Sequence, residues 1–72
     1  MSYEQFIEAL WVCVYKCPKE WRKGQAVFNV VEQNWGVARD VQFQDGVDCF
    51  YDDSKIDQFI ECAWERIKDE DN

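Results

Sequence analysis

The sequence predicts a small all-α domain: a bundle of three main helices plus one short helix, with an ordered acidic loop before the last. Three observations predict it. Apolar residues recur at helical spacing in three stretches, about residues 3–16, 19–34 and 54–68. Pro18, Gly36 and Gly46 fall between or beside those stretches, where chain breaks are needed. A length of 72 residues leaves room for one domain, so 1–72 is read as a single unit.

The first helix is predicted to open at Ser2. Ser2 and Gln5 have the spacing of a capping box, in which each side chain satisfies a backbone amide at the helix start. Phe6, Leu10, Cys13, Val14 and Cys17 form one stripe, and Tyr3, Ile7, Trp11 and Tyr15 a second beside it. Val12, Val14 and the aromatics would also suit a strand, but length and period favour helix. The wide apolar arc predicts burial on more than one side. Pro18 ends the helix, since it lacks an amide hydrogen and disfavours helical geometry at Cys17.

The second helix is expected to start near Pro18 or Lys19 and to place Trp21, Gly24, Phe28, Val31 and Trp35 on one side. Gly24 costs about 1 kcal/mol there relative to Ala, and close approach of another element to its bare backbone would explain it. Gly36 is placed to end the helix at positive φ. Val37, Ala38 and Val41 predict a short third helix over 36–42. Gln44-Asp45-Gly46 is a turn signal. Residues 45–53 then read as the acidic connection, with Asp52 or Asp53 as N-cap of the last helix. Ile56, Phe59, Ile60, Ala63, Trp64 and Ile67 give that helix its apolar face, and residues 69–72 read as a solvated tail.

A chain this short buries only about 60% of the surface it exposes when unfolded. Four Trp, five Phe and three Tyr offer a dense core in compensation. The chain lacks an apolar run long enough for a transmembrane helix, and no signal peptide is visible after Met1. The expectation is a cytoplasmic protein of a bacterial host, with reduced thiols and no membrane contact.

Charge is unevenly placed. Residues 1–39 carry a net +1 and residues 40–72 a net −8, giving −7 for the chain. That balance argues against direct binding of nucleic-acid phosphates and favours a protein partner with a basic surface. Lys16, Lys19, Arg22 and Lys23 cluster at the first connection, where a solvated helix junction accounts for them.

Candidate chemistry is sparse. The chain has no His and no Thr, and Ser2 and Ser54 are read as helix caps. Cys13, Cys17, Cys49 and Cys62 do not form the two close pairs of a zinc knuckle, so core thiols are expected. The acids Asp45, Asp48, Asp52, Asp53 and Asp57 lack the order of a calcium-binding loop. Neither an enzyme, a cofactor nor a metal is expected.

Two segments carry a resemblance. Trp21-Arg22-Lys23-Gly24-Gln25-Ala26-Val27-Phe28-Asn29 and Asp48-Cys49-Phe50-Tyr51-Asp52-Asp53, followed by Phe59, resemble short uncharacterised proteins of bacteria and their phages. Those proteins carry an Arg-x-Gly-Gln-x-x-Phe-Asn helix and a later Asp-Pro-Phe-Tyr-x-Asp segment. The resemblance covers about residues 21–60 and is uninformative about activity. Cys49 stands where the pattern has Pro, a departure expected to loosen the chain before Phe50. The resemblance implies that the Gly24 helix packs on the Phe50-Tyr51 segment. It also implies that Gln25 and Asn29, one turn apart, hydrogen-bond the loop backbone.

These readings converge on a small non-enzymatic interaction module, encoded by a phage or mobile element. It is expected to bind and inhibit a host protein, by occluding a nucleic-acid-binding surface if the partner has one. The expected contact residues are Asp45, Asp48, Tyr51, Asp52, Asp53, Asp57 and Glu61. The competing expectations are a homodimer formed through exposed Trp11 or Trp35, and a cysteine-based zinc module.

Overall fold

The computed structural model describes the backbone of residues 1–70 and side chains through Lys68. Helix α1 spans Tyr3–Tyr15, α2 Lys23–Trp35 and α3 Ala38–Asp40. A wide π-helical turn continues α3 over Val41–Asp45, a 3-10 turn covers Asp53–Lys55, and α4 runs Ile56–Glu70. Among the described residues there is no strand, and the bundle is all-α as the periodicity predicts. No described helix is long and apolar enough to cross a membrane.

Helix α1 opens with the expected box. The Ser2 hydroxyl accepts from the Gln5 amide at 3.2 Å, and the Ser2 amide donates to Gln5 Oε1 at 2.9 Å. Phe6 and Leu10 are its fully buried residues. Of the second stripe, Ile7 and Trp11 are half-buried against the core, whereas Tyr3 and Tyr15 are exposed, Tyr15 by 84%, and Val12 beside them is 48% exposed.

Helix α2 starts at Lys23, four residues later than the sequence reading places it. Residues 18–21 form a turn in which the Trp21 amide donates to the Pro18 carbonyl at 3.1 Å. Arg22 sits extended as N-cap and supplies no side-chain cap. The first cap for these amides comes from Asp53, 29 residues away, whose Oδ1 accepts from the Gly24 amide at 2.9 Å. The helix begins where that distant carboxylate can reach it. Its end is as expected, with Gly36 at φ 70° and its amide donating to Val31 and Glu32 carbonyls.

The third helical stretch is both later and longer than the expected 36–42. It starts at Ala38 because Gly36 is spent in ending α2. The π turn then carries the helix to Asp45, and Gly46 at φ 71° closes it by donating to the Val41 carbonyl. Val41 stays fully buried, while Phe43, off the Val37–Val41 stripe, is 77% exposed.

The two candidate caps before α4 divide their work. Asp52 Oδ1 accepts from the Ser54 amide at 3.0 Å and the Ser54 hydroxyl at 2.6 Å. Ser54 therefore supports a cap and is not one itself. Helix α4 continues through Asp69 and Glu70, where the solvated tail was expected, and Asp71 and Asn72 lie outside the described residues.

Helix α2 is the central element, packed against α1, α3, the 3-10 turn and α4. The core joins Phe6, Leu10, Val27, Val31, Val41, Cys49 and Phe59. Phe6 stacks on Trp64 at 5.5 Å and meets Trp35 edge-on at 4.9 Å. Such aromatic pairs add about 0.5–1.5 kcal/mol each beyond their burial. Trp11 and Trp35 are half-buried against this core, so they are not the exposed aromatics expected of a dimer face. Tyr3, Tyr15, Phe43 and Tyr51 are the exposed rings.

Candidate functional site

The loop 49–53 is clasped onto the start of α2. The Cys49 thiol donates to the Gly24 carbonyl at 3.3 Å, and Arg22 Nη1 donates to the Tyr51 carbonyl at 2.9 Å. Phe50 meets Phe28 edge-on at 5.6 Å, and Phe28 meets Phe59 at the same distance. The Gly24 helix and the Phe50-Tyr51 segment thus pack together. A Cβ on Gly24 would collide with the Cys49 carbonyl oxygen and lie 2.8 Å from Asp53 Oδ1. The close approach expected at Gly24 is therefore real. Arg22 and Gly24 supply the helix's bonds to the loop; Gln25 and Asn29, assigned that role from the pattern, do not. Cys49 does not loosen the chain: it is fully buried and its thiol ties the loop down. Burial pushes that thiol up to about 12, and the Asp48 charge adds to the shift.

The acids of the expected contact surface separate into two groups. Four have structural work. Asp45 pairs with Arg66 at 3.1 Å, and this bond raises the guanidinium above its usual value. Asp48 accepts from the Phe50 amide at 2.8 Å and from Gln42 Nε2 at 2.9 Å. Asp52 caps the 3-10 turn, and the two Ser54 bonds hold its carboxyl below the usual value. Asp53 caps α2. Tyr51 is 75% exposed beside Phe43, on a surface shared with Phe28, Arg39, Gln42 and Phe50.

Asp57 and Glu61 are different. Both are exposed on α4, one turn apart, and neither side chain joins a hydrogen bond or ion pair among the described residues. They flank a cleft of about 330 Å³ whose other lining is Tyr3, Ile7 and Trp11 of α1 and Ile60 of α4. Lys23 Nζ lies 5.1 Å from the centre of the Trp11 ring. The cleft has two rows at helical spacing, an apolar one from α1 and an acidic one from α4. It can accept an apolar group flanked by cations. The expected contact residues thus do not form one surface. The α1 row was visible in the sequence as a stripe, but its position opposite Asp57 and Glu61 depends on how α1 packs.

The thiols are dispersed. Cys13 and Cys17 share the end of α1, where burial and then the neighbouring Cys13 raise Cys17. Burial, followed by the Asp45 and Glu61 charges, raises Cys62. Among the described residues no three Cys, Asp or Glu side chains converge in a metal-binding group. No protein-family model matches the chain, and no curated protein or solved structure matches it significantly.

Proposed function

We propose that the protein is a small non-enzymatic interaction module that binds a basic protein surface through the α1–α4 cleft. One observation carries the reading: the Asp57 and Glu61 side chains are exposed and uncommitted beside an apolar row of exposed Tyr3 and half-buried Ile7 and Trp11, while the loop acids are committed to the fold. The partner presents an apolar side chain to Tyr3, Ile7 and Trp11, and Lys or Arg on either side of it to the two carboxylates. A nucleic-acid-binding host protein would offer the basic part of such a surface, and occupation of it would inhibit that partner. The resemblance of residues 21–60 to short phage and bacterial proteins supports an origin in a phage or mobile element and action in bacterial cytoplasm.

A designed amphipathic helix with Lys and Leu faces is a sufficient probe, read by Trp fluorescence and calorimetry at physiological salt. Asp57→Asn with Glu61→Gln is expected to weaken binding about tenfold. Asp40→Asn with Glu20→Gln, at exposed acids that do not line the cleft, changes net charge equally and is expected to leave it within about twofold. Equal losses in the two double variants would mean that bulk charge, not the cleft, attracts the probe.

A further inference from the structure

We propose that the outer face of α1 is a homodimer interface, in which a second copy crosses the helix in antiparallel sense at Val12. Three observations converge on it. The first is the open apolar face: Val12 and Tyr15 are 48% and 84% exposed, although the apolar arc of α1 extends round to them. At 3.6 residues per turn Val12 lies on the side opposite Leu10, which is fully buried.

The second is the charge pattern along that face. Glu8 lies one turn before Val12 and Lys16 one turn after it, all three exposed. Lys16, the C-cap, keeps helical φ and ψ of −84° and −7°, so it continues the row. Residues four apart form one surface ridge, and two helices that align such ridges cross at about −50°. A two-fold axis at Val12 then sets Glu8 against Lys16 of the partner subunit, and Lys16 against Glu8 of the partner subunit. The face is complementary to itself, as a two-fold interface has to be.

The third is the location of the face on the half of the chain with net +1. Pairing there avoids apposing two copies of the half with net −8, which would repel. The crossing point is off the α1–α4 cleft, because Ile7 and Trp11 lie about 100–140° round the helix from Val12, while Tyr15 continues the Tyr3–Ile7–Trp11 row and borders both surfaces. A dimer crossing at Val12 would present two acidic clefts.

Sedimentation velocity of the full chain, from low to high micromolar, tests the interface. The wild type is expected to pass from monomer to dimer over that range. Glu8→Lys and Lys16→Glu should each raise the dimer dissociation constant about tenfold, because each substitution sets like charges together at two symmetric positions. The double variant, Glu8→Lys with Lys16→Glu, should restore it to within about threefold. Tyr15→Ala, a substitution at an exposed ring, should weaken the dimer with unchanged helical circular dichroism. A wild type that stays monomeric overturns the proposal. So does a dimer indifferent to the single charge changes, or a double variant no better than the singles.

Discussion

A methyl group on Gly24 would occupy the space of the Cys49 carbonyl oxygen, an atom of the backbone that no side-chain rotation can clear. Gly24→Ala improves intrinsic helix propensity by about 1 kcal/mol, yet it must push the loop off α2. The expected outcome is a net loss of about 1–3 kcal/mol in urea unfolding. For a domain of this size that is a large share of the total, about 3–5 kcal/mol. A Gly24→Ala variant as stable as wild type would show that the loop does not lie against the helix. Cys49, on the other side of this contact, makes a pH prediction. Its thiol is raised from 9.0 to about 12, so the folded state holds its proton longer than the unfolded state does. The associated stability is fully present below pH 9.0 and is lost as pH rises toward about 12. Cys49→Ala should show a shallower decline over that range in chemical unfolding, whatever its stability at neutral pH.

At the scale of an element, the start of α2 is decided by a residue far along the chain. Arg22 is an unfavourable residue at the positive end of a helix dipole, and it turns to the Tyr51 carbonyl. Asp53 puts a carboxylate in the place a local cap would take. Asp53→Ala should therefore cost about 1 kcal/mol in unfolding free energy. The loss should be accompanied by faster hydrogen exchange in the first turn of α2, the helix to which Asp53 does not belong. The neighbouring Asp52 caps its own turn, and its carboxyl is lowered by the Ser54 bonds. A lowered carboxyl contributes stability above its unfolded value of 3.8, which disappears as pH falls through the folded value. Asp52→Asn should flatten the loss of stability below that point, read by thermal unfolding across the acid range.

For the whole molecule, a net charge of −7 on 72 residues is self-repulsion, concentrated on α4 and the loop before it. Arg66 and Lys68 relieve part of it through Asp45 and Glu65. Screening should relieve more. Raising salt from about 20 to about 200 mM shortens the Debye length severalfold and should raise the melting temperature by about 2–5 °C. The same salt should weaken the binding proposed for the cleft. Opposite signs for folding and binding would distinguish a spread of like charge from a site that uses it. A protein whose melting point falls with salt would instead depend on the attractive pairs at Arg66 and Lys68.

Local signals in the sequence determined the helices, because a cap, a period and a breaker each act within a turn or two. The Ser2–Gln5 box, the end at Gly36, the cap at Asp52 and the apolar face of α4 are of this kind. The need for bare backbone at Gly24 was also legible, since a glycine inside a helix has to be compensated by something close. Tertiary structure decided what lies far apart in sequence. It placed α2's start at Lys23 by bringing Asp53 to Gly24, and it carried the third helix through a π turn to Asp45. It also divided the acids, since only packing decides which carboxylates find an amide or a guanidinium and which face water. Composition counts those charges alike. The fold commits Asp45, Asp48, Asp52 and Asp53 to itself and leaves Asp57 and Glu61 beside the apolar row of α1.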